Sequence, residues 1–173
     1  MEFLVIRLKT KELAQIIIMS SLAVVCSLYF HPAPNVNFMD FAIFFTGLYF
    51  GVKVGALTGG ISYLVSAVLS PYGIHLGLLI SCMLFESIYG FMGGVIKHLN
   101  IKSSLKSFIV SIFGMGLSTL VFDILSTIAF SIAFSIPLDI AFLGGLSFMG
   151  LHIWSNLVIV SILRTYLFLA TKI

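Results

Sequence analysis

Residues 40–70 read DFAIFFTGLYFGVKVGALTGGISYLVSAVLS, and the fold turns on this stretch. It is nearly all apolar, with a glycine-rich turn inside it. Gly51, Gly55 and Gly59 recur every four residues, which on a helix makes one bare stripe where a second helix can approach backbone to backbone. Lys53 lies just inside that stripe and is the only basic residue of the stretch. A lysine between two apolar runs reads as a short loop on the charged side of a membrane, so a tight helical hairpin is expected. The competing reading, a buried hairpin of a soluble protein, fails on composition.

Of 173 residues, 60% are hydrophobic and 9% charged, with a mean hydropathy of +1.20. Soluble domains carry roughly 45–50% apolar and about 25% charged residues, so this is an integral membrane protein. The length suits one compact all-α bundle of six transmembrane helices, at about 20 residues per span plus short connections. That leaves a single domain, residues 1–173, with no room for a separate soluble one. The net charge of +3 is not a nucleic-acid signal, because basic residues at membrane edges mainly set orientation. Cys26 and Cys82 lie inside apolar runs and read as small packing residues. No small-residue cleavage site follows the first apolar run, which is therefore expected to be a retained helix.

In chain order, Arg7, Lys9 and Lys11 precede a first helix over residues 13–30, and the His31-Pro32-Ala33-Pro34 run breaks it into a rigid outer loop. A second span over 36–50 is short, reaching only about 22 Å against a membrane core of roughly 30 Å. If it crosses, Lys97, Lys102 and Lys106 fall on the same side as Arg7, Lys9 and Lys11, which the positive-inside rule favours. Further helices are expected over 54–69, 76–96, 108–134 and 140–163. This topology puts all nine basic residues inside and both termini in the cytoplasm. Asp40 and Asp139 begin helices after outer turns, where a carboxylate caps free N–H groups, so both read as structural. No duplicated half is evident, which weakens an inverted-repeat carrier.

Polar residues left inside the membrane carry the functional signal, since ionisable groups there are costly and face a bundle interior or a wet cavity. Glu86, Asp123 and His152 all fall roughly 15–18 Å from the outer end of their helices, near the midplane. Tyr89 continues the Glu86 face, Thr119, Ser126 and Thr127 flank Asp123, and Asn156 follows His152 at i+4. Together they outline a pocket. Against this stands a purely structural reading: Ser126 and Thr127 can bond back to their own helix, and His152 and Asn156 can simply join helices. Glu86 and Asp123 are harder to dismiss, because no lysine or arginine lies at their depth. One is protonated, or they share a proton or bond His152, or a cationic ligand completes the site. Trp154 lies off the His152 face and packs on a neighbouring helix or lipid. In the outer loops, Asn35, Asn37, Tyr72 and His75 are candidates to cover a pocket entrance.

No GxSxG, HExxH, P-loop or CxxC is present, so no soluble-type catalytic signature appears. A metal site from Glu86, Asp123, His152 and Cys82 has no diagnostic spacing, and neither a metal nor a cofactor is expected. Without a P-loop, any ATP-driven role needs partner proteins.

With these features in hand, the chain resembles the substrate-binding S components of energy-coupling factor (ECF) transporters, which import vitamins and related micronutrients into prokaryotes. The resemblance rests on size, six helices, Thr10-Lys11-Glu12-Leu13-Ala14 before helix one, and Asn37-Phe38-Met39-Asp40-Phe41 leading into residues 47–56, GLYFGVKVGA. His152-Ile153-Trp154-Ser155-Asn156 in the last helix is similar as well. The resemblance implies a multi-pass protein of the prokaryotic plasma membrane, working with two ATPase subunits and a transmembrane coupling protein. It places the coupling contact of helix one on Ser20, Ala23 and Ser27, although the family's alanine pair four apart is imperfect here: Ala14 is followed by Ile18 and Ala23 by Ser27. It also places the ligand near the outer side, under the loop after helix one, and implies that the subunit tilts in the membrane to release it.

The expected function is therefore a binding and translocation subunit, not an enzyme. Its expected ligand-binding residues are Glu86, Tyr89, Asp123, His152, Asn156 and Asn37. Intramembrane carboxylates suggest a ligand with an amine or cationic ring, such as a thiamine-like, pyridoxine-like or deazaguanine-type compound. The alternative is a self-sufficient proton-coupled carrier using Glu86 and Asp123, and a third reading is an assembly subunit whose polar residues only join helices.

Overall fold

A computed structural model describes residues 8–30, 37–70 and 73–170. Among these residues the regular elements are six α-helices: α1 (Thr10–Phe30), α2 (Phe38–Phe50), α3 (Val52–Leu69), α4 (Leu76–His98), α5 (Ser104–Phe134) and α6 (Leu138–Ala170). Five are long and apolar enough to cross a membrane, and α2, with 13 residues, is the short one. Asn35, Tyr72, Arg7, Lys172 and the proline run after α1 lie outside the described residues.

Local chemistry sets the helix ends. The Asn37 side chain accepts from the Met39 N–H, His75 Nδ1 from the Leu78 N–H at 3.3 Å, and Ser103 Oγ from the Lys106 N–H at 3.4 Å. The Ser103 cap starts α5 four residues earlier than the apolar run suggests. Gly51 alone separates α2 from α3, at φ 100°, a conformation that side chains disfavour. The expected loop at Lys53 is therefore absent: Lys53 lies in the first turn of α3, with its Nζ 3.1 Å from Glu12 Oε2 on α1. A second lysine works at the same end, where Lys97 Nζ donates to the Tyr49 carbonyl at the close of α2.

α4 is the central helix, packed on α2, α3 and α5, while α1 lies against α2 and α3, and α6 against α5 with a smaller contact to α2. Bare backbone makes the inner contacts possible. A Cβ on Gly55 or Gly90 would run into the backbone of the facing helix, and one on Gly59 would meet the Glu86 carbonyl. The glycine stripe thus packs as expected at Gly55 and Gly59, but Gly51 serves as the joint, and a Cβ there would meet no facing helix. Ala23, Met39, Ile43, Phe44, Tyr89, Met115 and Val160 fill the core. Large apolar side chains on the outside, such as Phe113, Ile132, Leu143 and Trp154, face outward as membrane helices require. Hydroxyls in the helices satisfy themselves: Thr46, Thr58, Ser118 and Thr119 each donate to the carbonyl four residues back.

The described basic residues of α1, of the α2–α3 junction and of the α4–α5 connection share one end of the bundle. Arg164, late in α6, joins them by donating to Ser107 Oγ at 2.6 Å. The start of α2, the α3–α4 connection and the Ser135 turn form the other end.

Candidate functional site

At that second end, four helices bring polar side chains to one level. Asp40, in the first turn of α2, is the hub, with no exposed surface. Its Oδ2 lies 2.7 Å from His152 Nε2 and accepts from Asn156 Nδ2 at 2.8 Å. Its Oδ1 accepts from Asn37 Nδ2, and the fully buried Glu86 carboxyl of α4 lies near it.

The other ring nitrogen of His152, Nδ1, lies 2.8 Å from Asp123 Oδ1 on α5. One imidazole therefore bridges two carboxylates. Asn156 Nδ2 also donates to Thr119 Oγ1 at 3.0 Å, completing a hydrogen-bonded network over α2, α5 and α6. Four buried polar atoms of this cluster have no partner within the described chain: Glu86 Oε1, Tyr89 Oη, Asp123 Oδ2 and Asn156 Oδ1. Such atoms are expensive to leave unmatched, and they concentrate where function is exercised.

Two cavities border the cluster. The smaller, about 310 Å³, has Asn37, Asp123 and His152 on its wall beside Phe122, Phe148 and Met149. The larger, about 510 Å³, is mostly apolar and runs from Tyr63 and Cys82 past Phe130 to the start of α6. Phe122, Ser126, Thr127 and Gly145 border both. Each volume falls in the range of small-molecule sites, roughly 300–1,000 Å³.

All six candidate ligand residues enter this one region, in two ranks. Asn37, Asp123 and His152 border the smaller cavity, whereas Glu86, Tyr89 and Asn156 stand behind them, fully buried and bordering neither cavity. Asp40 was missed. The cap it was expected to provide is made by Asn37, which frees the Asp40 carboxylate to face inward. The spacing gave no warning, because an acidic residue three after an N-cap residue is where a capping box ordinarily sits. Ser126 Oγ bonds the Asp123 carbonyl, consistent with a helix-bound hydroxyl, although its side chain also borders both cavities. His75 caps α4 and stacks on Phe134 at 5.2 Å, away from both cavities. Among the described residues, no three His, Cys, Asp or Glu side chains are grouped to hold a metal ion.

The face of α1 assigned to a coupling contact turns inward. Ser20 and Ala23 are buried and Ser20 Oγ donates to the Thr58 carbonyl of α3, while Ser27 is half-buried. Small residues here let α1 lie close to α3, so Ser20 and Ala23 are engaged within the chain.

The chain is thus a bundle of long apolar helices around a buried polar cluster with two cavities beside it. A family model described as "ECF-type riboflavin transporter, S component" matches residues 7–172, and the chain belongs to that family. The family is one of transporter subunits, not an enzyme class. No curated protein and no solved structure matches the chain.

Proposed function

We propose that this chain is the substrate-binding subunit of an ATP-driven ECF-type importer for a vitamin or related micronutrient. It holds its substrate in the paired cavities, and it works with a transmembrane coupling protein and two ATPases in a prokaryotic plasma membrane. The observation that carries this reading is the smaller cavity, whose wall of Asn37, Asp123 and His152 is braced from behind by the Asp40 network. Positive-inside placement of the lysine-rich end would put both termini in the cytoplasm and open the site toward the outside.

The geometry changes the expected ligand. Asp40 and Asp123 already have hydrogen-bond partners in His152, Asn156 and Asn37, so a cationic ring is not the only group that suits them. A neutral ring compound bearing several donors suits the wall equally well, and the family description makes riboflavin the first compound to test. A coupling protein would meet α1 on its outward face, where Ala14, Ile18, Ser21, Leu22 and Val25 are exposed.

The test is purification from the native host, with mass spectrometry of bound small molecules and of co-purifying proteins. A vitamin-like compound with two ATPases and a membrane coupling protein supports the reading. Uptake by vesicles that contain this chain alone, driven by a proton gradient, would instead favour the proton-coupled carrier, for which the buried Glu86 and Asp123 carboxyls, each with an unmatched oxygen, are the supporting observation.

A further inference from the structure

The glycines of this chain fall into two groups. Those at the α2–α3–α4 contacts, such as Gly55 and Gly90, have no room for a side chain because another backbone lies against them. Gly144 and Gly145 on α6 are different: a Cβ on Gly144 would meet nothing within 4 Å, and one on Gly145 only Thr127 Oγ1 at 3.9 Å. Packing does not require glycine at either place, and helix propensity favours almost any other residue. Both border the larger cavity, and Gly145 borders the smaller one too. What their bareness preserves is the open volume itself.

A second observation points to an occupant. Asp123, 8% exposed, stands on the wall of the adjoining cavity with its Oδ2 unmatched by any donor of the described chain. Aromatic rings of Tyr63, Phe122 and Phe130 border the larger cavity, so it offers flat apolar walls, and the smaller one offers acceptors.

We propose that Gly144 and Gly145 form the specificity-determining floor of the site, over which the flat ring of the substrate lies while its donor-bearing end passes Thr127 toward Asp123 and His152. This deepens, and rests on, the reading of the chain as a substrate-binding subunit. The substrate class it selects is a planar ring with a hydroxyl- or amine-bearing end.

The test compares Gly145→Leu and Gly144→Leu with Gly150→Leu, a position on the same helix that also has open space but borders neither cavity. Each purified chain is titrated with riboflavin, thiamine and pyridoxine, and its thermal midpoint is recorded. Filling the floor should weaken binding roughly 10-fold or more for Gly145→Leu, with Gly144→Leu in the same direction and Gly150→Leu unchanged. All three are expected to melt near the parent, because a Cβ at each has room. If the parent binds a probe and Gly145→Leu binds it equally well, the floor assignment falls and the binding reading stands. If the parent binds none of the three, the planar-ring floor falls, while the reading as a binding subunit is decided by what co-purifies from the native host.

Discussion

Asp40 and His152 stand 112 residues apart in the sequence and 2.7 Å apart in the fold, Oδ2 to Nε2. The contact fastens the first turn of α2 to the middle of α6, and the opposite edge of the same ring holds Asp123. Asp40→Ala would leave donors on His152, Asn156 and Asn37 without their acceptor. A destabilisation of about 3–5 kcal/mol is expected, read as a lowered thermal midpoint in nanodiscs. Asp40→Asn keeps an acceptor oxygen and should lose less. Equal midpoints for Asp40→Ala and the parent would show that the hub contributes nothing to stability.

His152 also borders the cavity, so its loss should register in binding. With His152→Ala, affinity for the retained ligand is expected to fall by about 10- to 100-fold, the value of a hydrogen bond to a charged group. Isothermal titration of the purified subunit measures this. An unchanged affinity would remove His152, and the Asp123 it orients, from the site.

Packing at the α3–α4 contact sets a different expectation. Gly90→Ala drives a Cβ into the Gly55 backbone, where neither helix can yield, at a cost of about 1–3 kcal/mol or more. Gly150→Ala meets nothing and should be neutral or slightly stabilising. Thermal melts of the two variants side by side decide the matter, and matching midpoints would contradict the close approach.

Orientation is open to chemical labelling. In a background with Cys26 and Cys82 replaced by serine, Ser135→Cys should react with an impermeant maleimide added to intact cells, and Ser103→Cys only after permeabilisation. The reverse pattern would invert the topology and place the cavities toward the cytoplasm.

Much of this was legible in the sequence, and the failures have physical causes. Glu86, Asp123, His152 and Asn156 announced themselves because polar groups in an apolar run need a reason to be there. Asp40 did not, because an aspartate at a helix start has an ordinary explanation, and only the position of Asn37 shows that the explanation is already taken. The glycine stripe was visible on α3, but the facing Gly90 gave no sign of where it would meet it. Lys53 looked like a loop residue because the sequence does not reveal that Gly51 turns the chain by itself, nor that Glu12 waits on α1 to receive the ammonium. The face of Ser20 and Ala23 was correctly small, yet smallness does not say which neighbour it admits.

The brevity of α2 has one more consequence. Thirteen residues rise about 20 Å where a full crossing takes about 30 Å, and the chain just before it, at Asn37, borders the smaller cavity. The chamber is thus what remains where one stave of the barrel stops short, not a hollow carved from a finished one. The glycine-seamed half, where a single added carbon has nowhere to go, has no such slack in its volume.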